Sequence, residues 1–242
     1  MTKIYEANNH ILIHTGYASP EKHRHMAAQI VLAIDGKMSV VSEETEYHCR
    51  GVLLPAGTPH LIDTYGKVVL VFLYDPASEV AKQIEHIRCV SEDTCNRILE
   101  QYGAFERDGD YSIFERYFLK ELDITPGSSC SVTDERIRAA IKYIRDGISE
   151  NITCKAVAEA VYMSQGRFSH VFKEQVGMTF AAYVIYQRIM YVYAQIFRGK
   201  SITEAAVEAG FSSSAHFADV NRRVFGITAS RISQDARFIR IQ

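Results

Sequence analysis

Nowhere in the 242 residues does an apolar run approach the ~18 residues that a membrane-spanning helix needs. The opening MTKIYEANNH lacks the apolar h-region of a secretory leader. A cytoplasmic protein with no membrane partner is the expectation. Cysteine is sparse and irregular: Cys49, Cys89, Cys95, Cys130 and Cys154 form an odd set without a C-x-x-C pair. That argues against a disulfide framework and against thiol-based zinc or thioredoxin-like chemistry. No neighbour of Cys89 or Cys95 visibly lowers a thiol pKa, so reduced thiols are expected rather than a redox pair.

What remains is ordinary globular composition, 47% hydrophobic and 23% charged, at a length suited to two domains. The net charge of −2 hides an asymmetry that appears on cutting the chain after Val132. Residues 1–132 hold 12 Lys and Arg against 19 Asp and Glu, net −7; residues 133–242 hold 15 against 10, net +5. The basic half is the one suited to a polyanion, although +5 over that length also lies within ordinary fluctuation.

Three segments follow one another. From about Ile11 to Tyr74, short apolar or alternating runs (ILIH, AQIVLAI, KMSVV, GVLLP, KVVLVFLY) separated by Gly, Pro and Asp predict antiparallel strands. From Pro76 to about Asp123 the spacing turns helical, through SEVAKQIEHIRCV, DTCNRILEQYGAF and YSIFERYFLKEL. In the last of these, Ile113, Tyr117 and the Phe118/Leu122 pair read as core packing first and a dimer seam second. The Pro-, Gly- and Ser-rich ITPGSSCSVT, 124–133, is the best linker. Beyond it all is helical, beginning with a helix capped by Thr133 or Asp134 whose Ile137, Ile141, Ile144 and Ile148 share one face.

Sliding the basic half against itself by 49 residues superposes Ala156 on Ala205, Glu159 on Glu208, Ala160 on Ala209, Ser164 on Ser213, Phe168 on Phe217, Val171 on Val220, Gly177 on Gly226 and Thr179 on Thr228. Such a period describes a duplicated unit. Each copy is a short helix rich in small residues, a turn, and a helix opened by Ser and closed by Gly: a helix-turn-helix. In the first copy Phe168, Val171 and Phe172 form the inner stripe, leaving Gln165, Arg167, Ser169, His170 and Lys173 outside. Between the copies FAAYVIYQRIMYVYAQIFRG makes a helix of ~30 Å, near the ~34 Å of one DNA turn. Two recognition helices on one chain can then enter the major groove from one side.

These motifs over about 134–235 resemble the AraC/XylS family of bacterial transcription regulators: S-x-x-x-F-S-x-x-F-K-E-x-x-G-M-T in the first copy, Arg188-Ile189 in the connecting helix, and SITEAAVEAGFSSSAHF in the second. The resemblance implies base contacts at Gly166, Ser169 and His170, and at Ser214, Ala215, Ala218 and Asp219. The chain departs from the family pattern where Asp219 replaces a basic residue, Asn221 a core Phe and Ala229 a Pro. Because the second set is small or acidic, the first motif is expected to read bases. The second would dock on phosphates through Arg222, Arg223 and its helix N-terminus around Ser213.

In the N-terminal half, HRHMAAQIVLAIDG followed by GVLLPAGTPH is similar to the two motifs of cupin β-barrels, which AraC-like regulators often carry as sensors. The resemblance implies an α+β protein: a cupin-like barrel (about 1–75) with helices to 123, the linker, and an all-α double helix-turn-helix over 134–242. His23, His25, Gln29 and His60 would line an effector pocket. In cupin enzymes the His positions bind a divalent metal; here Gln29 stands where a Glu ligand belongs, so a zinc held by His23, His25 and His60 is the weaker alternative to an organic effector. His48 and Cys49 fall outside the motif and read as surface or edge. The expected protein is a regulator, not an enzyme, that binds promoter or operator DNA and an unknown small molecule. A homodimer is expected, with RNA polymerase as a partner if it activates. Two other readings stay open: a metal-dependent cupin enzyme, and a degenerate member acting through protein contacts.

Overall fold

The computed structural model describes residues 2–7, 9–16, 19–24, 26–126, 131–225 and 236–240. By contact it divides into two units, 1–129 with 235–242, and 130–234. The first unit opens with nine strands: β1 (Thr2–Glu6), β2 (His10–Gly16), β3 (Ser19–Arg24), β4 (Ala28–Ala33), β5 (Met38–Ser42), β6 (Thr45–Cys49), β7 (Gly51–Leu54), β8 (Pro59–Asp63) and β9 (Val68–Tyr74). Then come α1 (Glu79–Gln83), β10 (Arg88–Val90), α2 (Glu92–Asp108) and α3 (Tyr111–Glu121), and a last strand, β11 (Ala236–Arg240), closes the described chain.

The expected barrel takes the form of two sheets, one ordered β10-β7-β4-β9-β2-β1-β11 and one ordered β3-β8-β5-β6. All pairings are antiparallel except β1 with β11. Strands β4 and β9 are buried along almost their whole length, because each face of the large sheet is covered. Leu12, Ile30, Leu32, Leu70, Phe72 and Tyr74 pack with Ile98, Tyr102, Phe105, Phe114 and Phe118 of the helices in one apolar core. Phe72 stacks on Phe118 at 4.1 Å. The alternate face carries Ile11, Ile13, Gln29, Val31, Val71 and Leu73, also buried, and the small sheet carries the matching buried set Met38, Val40, His60 and Ile62.

Three expectations change here. The helical reading of SEVAKQIEHIRCV gives way after α1, where Arg88–Val90 pairs with β7 as a strand. The stripe on α3 splits: Phe118 and Leu122 are core, whereas Ile113 is 60% exposed. Cys49, read with His48 as surface or edge, lies on β6 at the edge of the small sheet but is buried, whereas His48 is exposed. Cys95 is buried as well, and burial pushes its thiol up to about 11, away from reactivity.

The second unit is helical: α4 (Glu135–Asp146), α5 (Cys154–Ala160), α6 (Gln165–Val176), α7 (Phe180–Phe197), α8 (Ile202–Glu208) and α9 (Ser214–Phe225). Asp134 caps α4 by accepting from the Arg136 amide, and Ile137, Ile141, Ile144 and Ile148 are buried as their spacing requires. The sequence places 134–242 in this domain, yet 236–240 pair with β1 in the sheet unit. Gly226, Thr228 and Ala229 lie outside the described residues.

Candidate nucleic-acid interface and effector site

The first helix-turn-helix is α5 and α6. Ser164 accepts from the Arg167 amide at 3.4 Å, and Gly177 ends α6 in the left-handed region at φ +83°, a conformation that spares glycine the Cβ clash. Phe168, Phe172 and Val176 are buried. Gln165, Gly166, Arg167, Ser169, His170 and Lys173 are all exposed. This face has an acceptor-donor mix and two cations with no carboxylate until Glu174. The Ser169 hydroxyl lies 3.3 Å from the Cys154 thiol, a contact across the motif that the spacing did not reveal.

The second copy, α8 and α9, is built with equal care. Ser201 and Glu204 form a reciprocal capping box on α8, and the Ser213 hydroxyl accepts from the His216 amide at the start of α9. His216 also pairs with the Ser212 hydroxyl at 3.0 Å and meets Phe211 edge to face. Ser213, Ala215, Asp219, Arg222 and Arg223 are exposed, while Ser214 and Ala218 are half-buried. Both arginines sit in the last turn of α9.

Asn221 stands one repeat after Phe172 and is just as buried, at 0% exposure. The Tyr193 hydroxyl of α7 donates to its Oδ1 at 2.7 Å, and Tyr193 is itself buried. Burial raises the tyrosine pKa further, keeping the hydroxyl a donor. The loss of an aromatic ring from the core is therefore met by a hydrogen bond whose donor is one of the tyrosines set into α7. A buried amide satisfied in this way avoids most of the desolvation penalty. The tyrosine at 193 was visible in the sequence, but its pairing with Asn221 was not, because the two are 28 residues apart.

In the sheet unit His23 and His60 face each other as cross-strand partners of β3 and β8, their rings 4.7 Å apart. His60 Nδ1 donates to the Thr58 carbonyl at 2.9 Å. Burial lowers the pKa of His60 to about 4, with the Thr58 bond opposing and His23 assisting, so its ring is neutral at pH 7. Gln29 pairs with Leu54 and Leu73 on the neighbouring strands. Its Oε1 is buried without a hydrogen-bond partner among the described residues. His25 lies outside the described residues. Among those described, no group of three His, Cys, Asp or Glu is gathered as a metal site, and no helix is long and apolar enough to cross a membrane.

Residues 157–235 match a family model described as a helix-turn-helix domain. LumQ of Photobacterium leiognathi, a probable transcriptional regulator, is 29% identical over 86% of this chain and 90% of its own length. The regulatory protein PocR of Salmonella typhimurium is 30% identical over 42% of this chain, and the arabinose operon regulatory protein of Escherichia coli 26% over 53%. The chain spans about a third of PocR and about half of the arabinose regulator, at 34% and 47% of their lengths. Among solved structures, an apo variant of ToxT from Vibrio cholerae shares the fold, with a TM-score of 0.66 at 12% identity, covering 95% of this chain and 98% of that one. A ToxT structure bound to an unsaturated fatty acid aligns with a TM-score of 0.60 at 14% identity, over 94% and 97% of the two chains. With two helix-turn-helix copies joined by α7, the chain carries a helix-turn-helix domain over 157–235, is similar to transcription regulators over that domain or nearly its whole length, and shares the fold of ToxT.

Proposed function

We propose that the chain is a ligand-responsive regulator that grips operator DNA with unequal heads: α6 reads bases and α9 holds the backbone. The observation that carries this reading is the exposed, polar and basic face of α6 set against its buried Phe168, Phe172 and Val176. Arg and Lys bring phosphate affinity, whereas Gln165, Ser169 and His170 carry the donors and acceptors that sequence readout needs. On α9 the central outward positions are Ala215, Ala218 and Asp219, with little to offer a base beyond a thymine methyl or a cytosine amino group. Arg222 and Arg223 supply charge without sequence preference. The rod between the heads, α7, has 18 residues and so measures ~27 Å, compatible with two successive major grooves. In a fluorescence-anisotropy titration against its own promoter region, affinity should fall linearly with log salt, with a slope of ~0.9 per neutralised phosphate. A chain that ignores such DNA even at low ionic strength overturns the proposal.

The effector site we assign to the space lined by His23, Gln29 and His60. The surrounding strand face is aliphatic, and an unpartnered carbonyl oxygen on Gln29 calls for a donor. An apolar molecule bearing a hydroxyl or amide fits this lining better than a naked anion, for which no fixed cation is present among these residues. The fatty acid belongs to ToxT; here the neutral imidazole of His60 would have to become charged to hold a carboxylate. Metal chemistry fits poorly, since Gln29, a neutral and poor ligand, stands where a Glu ligand belongs. Catalysis is not part of this reading. The homodimer contact we place on the outer face of α3, where Ile113 is exposed beside the half-buried Tyr117. Sedimentation of Ile113→Glu should show monomer where the parent chain is dimer.

A further inference from the structure

The last described strand does not belong to the helical unit that precedes it. After α9 the chain crosses residues 226–235 and re-enters the sheet unit as β11, parallel to β1, in the register Thr2↔Ala236, Lys3↔Arg237, Ile4↔Phe238, Tyr5↔Ile239 and Glu6↔Arg240. The helical unit is thus inserted between two segments of the sheet unit. It is tethered at both ends, by 122–134 before α4 and by ten residues after α9, which span at most ~36 Å when fully extended. Without β11, β1 would be the open edge of the large sheet, a row of unpaired amides and carbonyls. And β1 is not an isolated edge: Lys3 and Tyr5 both donate to the Glu106 carboxylate of α2, and Tyr5 packs edge to face on Phe105 at 5.2 Å. The strand that receives the tail is therefore tied to the same helix that packs on the sensor sheet.

We propose that β11 is a releasable strap. Docked on β1 by strand addition, it confines the reading unit with a second tether; released, it leaves that unit on the 122–134 tether alone, free to take the orientations a duplex requires. DNA then binds the released form more tightly and draws the strand off. Any change in α2 that shifts Lys3 or Tyr5 biases the same equilibrium. The inference rests on the DNA-binding reading above, and the test separates the two.

Hydrogen exchange and DNA affinity are measured on the parent chain, on a chain ending at Asp235, and on a chain carrying both Arg237→Pro and Phe238→Pro, which removes a ladder donor whichever of the two neighbouring amides faces β1. The β1 amides that face β11 should be protected in the parent and exchange rapidly in both variants, while affinity for the promoter fragment rises severalfold at fixed salt. A Thr2→Cys, Ala236→Cys chain, oxidised to join these register partners, should bind more weakly than after reduction, by comparison with the parent given the same treatment. Equal β1 exchange in parent and truncated chains would show that the tail is not docked. Unchanged or weaker DNA binding on truncation, with the parent binding normally, would sink the strap but leave the DNA-binding reading standing. Loss of a dimer on truncation would mean that the strand crosses to a second copy, contradicting an intramolecular strap. DNA left unbound by parent and variants alike would remove both proposals.

Discussion

The two helix-turn-helix copies differ in a way that separates folding from reading. At the inner position where the first has Phe172, the second has Asn221; at the outer surface the first presents Arg167, Ser169 and His170, the second Ala215, Ala218 and Asp219. Each copy keeps its N-terminal serine cap, Ser164 or Ser213, and its buried leading phenylalanine, Phe168 or Phe217. The second copy has therefore kept its fold while its outer face has lost most groups able to distinguish bases. A merely decayed motif would leave a buried amide without a donor; this one has Tyr193 in place to supply it.

The contrast can be broken most forcefully in the core. Phe172→Ala should destabilise the helical unit by about 3–5 kcal/mol in denaturant unfolding, and a smaller loss would mean that the first copy collapses around the gap. Tyr193→Phe, which strips the Asn221 oxygen of this donor, should cost about 1–3 kcal/mol, whereas Tyr193→Phe combined with Asn221→Leu should return close to the parent stability. Equal losses in the single and double variants would mean that the hydrogen bond is incidental. At the surface, Arg167→Ala should weaken binding and flatten the log–log salt slope by ~0.9; Arg222→Ala should flatten it similarly while leaving sequence preference untouched. The smallest effect belongs to Asp219→Asn, a modest tightening that fades as salt screens the exposed carboxylate. Tightening that survives high salt would point instead to a base contact through residue 219.

Much of the helical unit was legible because its signals are local. Caps and the spacing of Phe168 and Phe172 lie within one or two helical turns, the period-49 repeat is a direct match of sequence to sequence, and the four isoleucines of α4 state their own inner face; Val171, read into the same stripe, is only half-buried, and Val176 is buried in its stead. The sheet unit was legible in type but not in its edges. Arg88–Val90 sits inside a run with helical spacing, and only pairing with β7 makes it a strand. Ala236–Arg240 looks like the end of a helical domain because nothing near it in sequence names β1, more than two hundred residues away, as its partner. In the site, His23 and His60 were found by motif, yet the Thr58 bond that fixes the His60 ring and the burial that keeps it neutral come from strand pairing. The Tyr193–Asn221 and Cys154–Ser169 contacts likewise depend on how helices cross, which spacing within one helix does not encode.

The unequal-heads reading is tested most directly by replacing, one base pair at a time, every position of the bound operator and measuring affinity at a single salt concentration. Substitutions beneath α6 should each cost about 1–3 kcal/mol, and those beneath α9 distinctly less while the salt dependence stays the same. Penalties of equal size under both helices would contradict it.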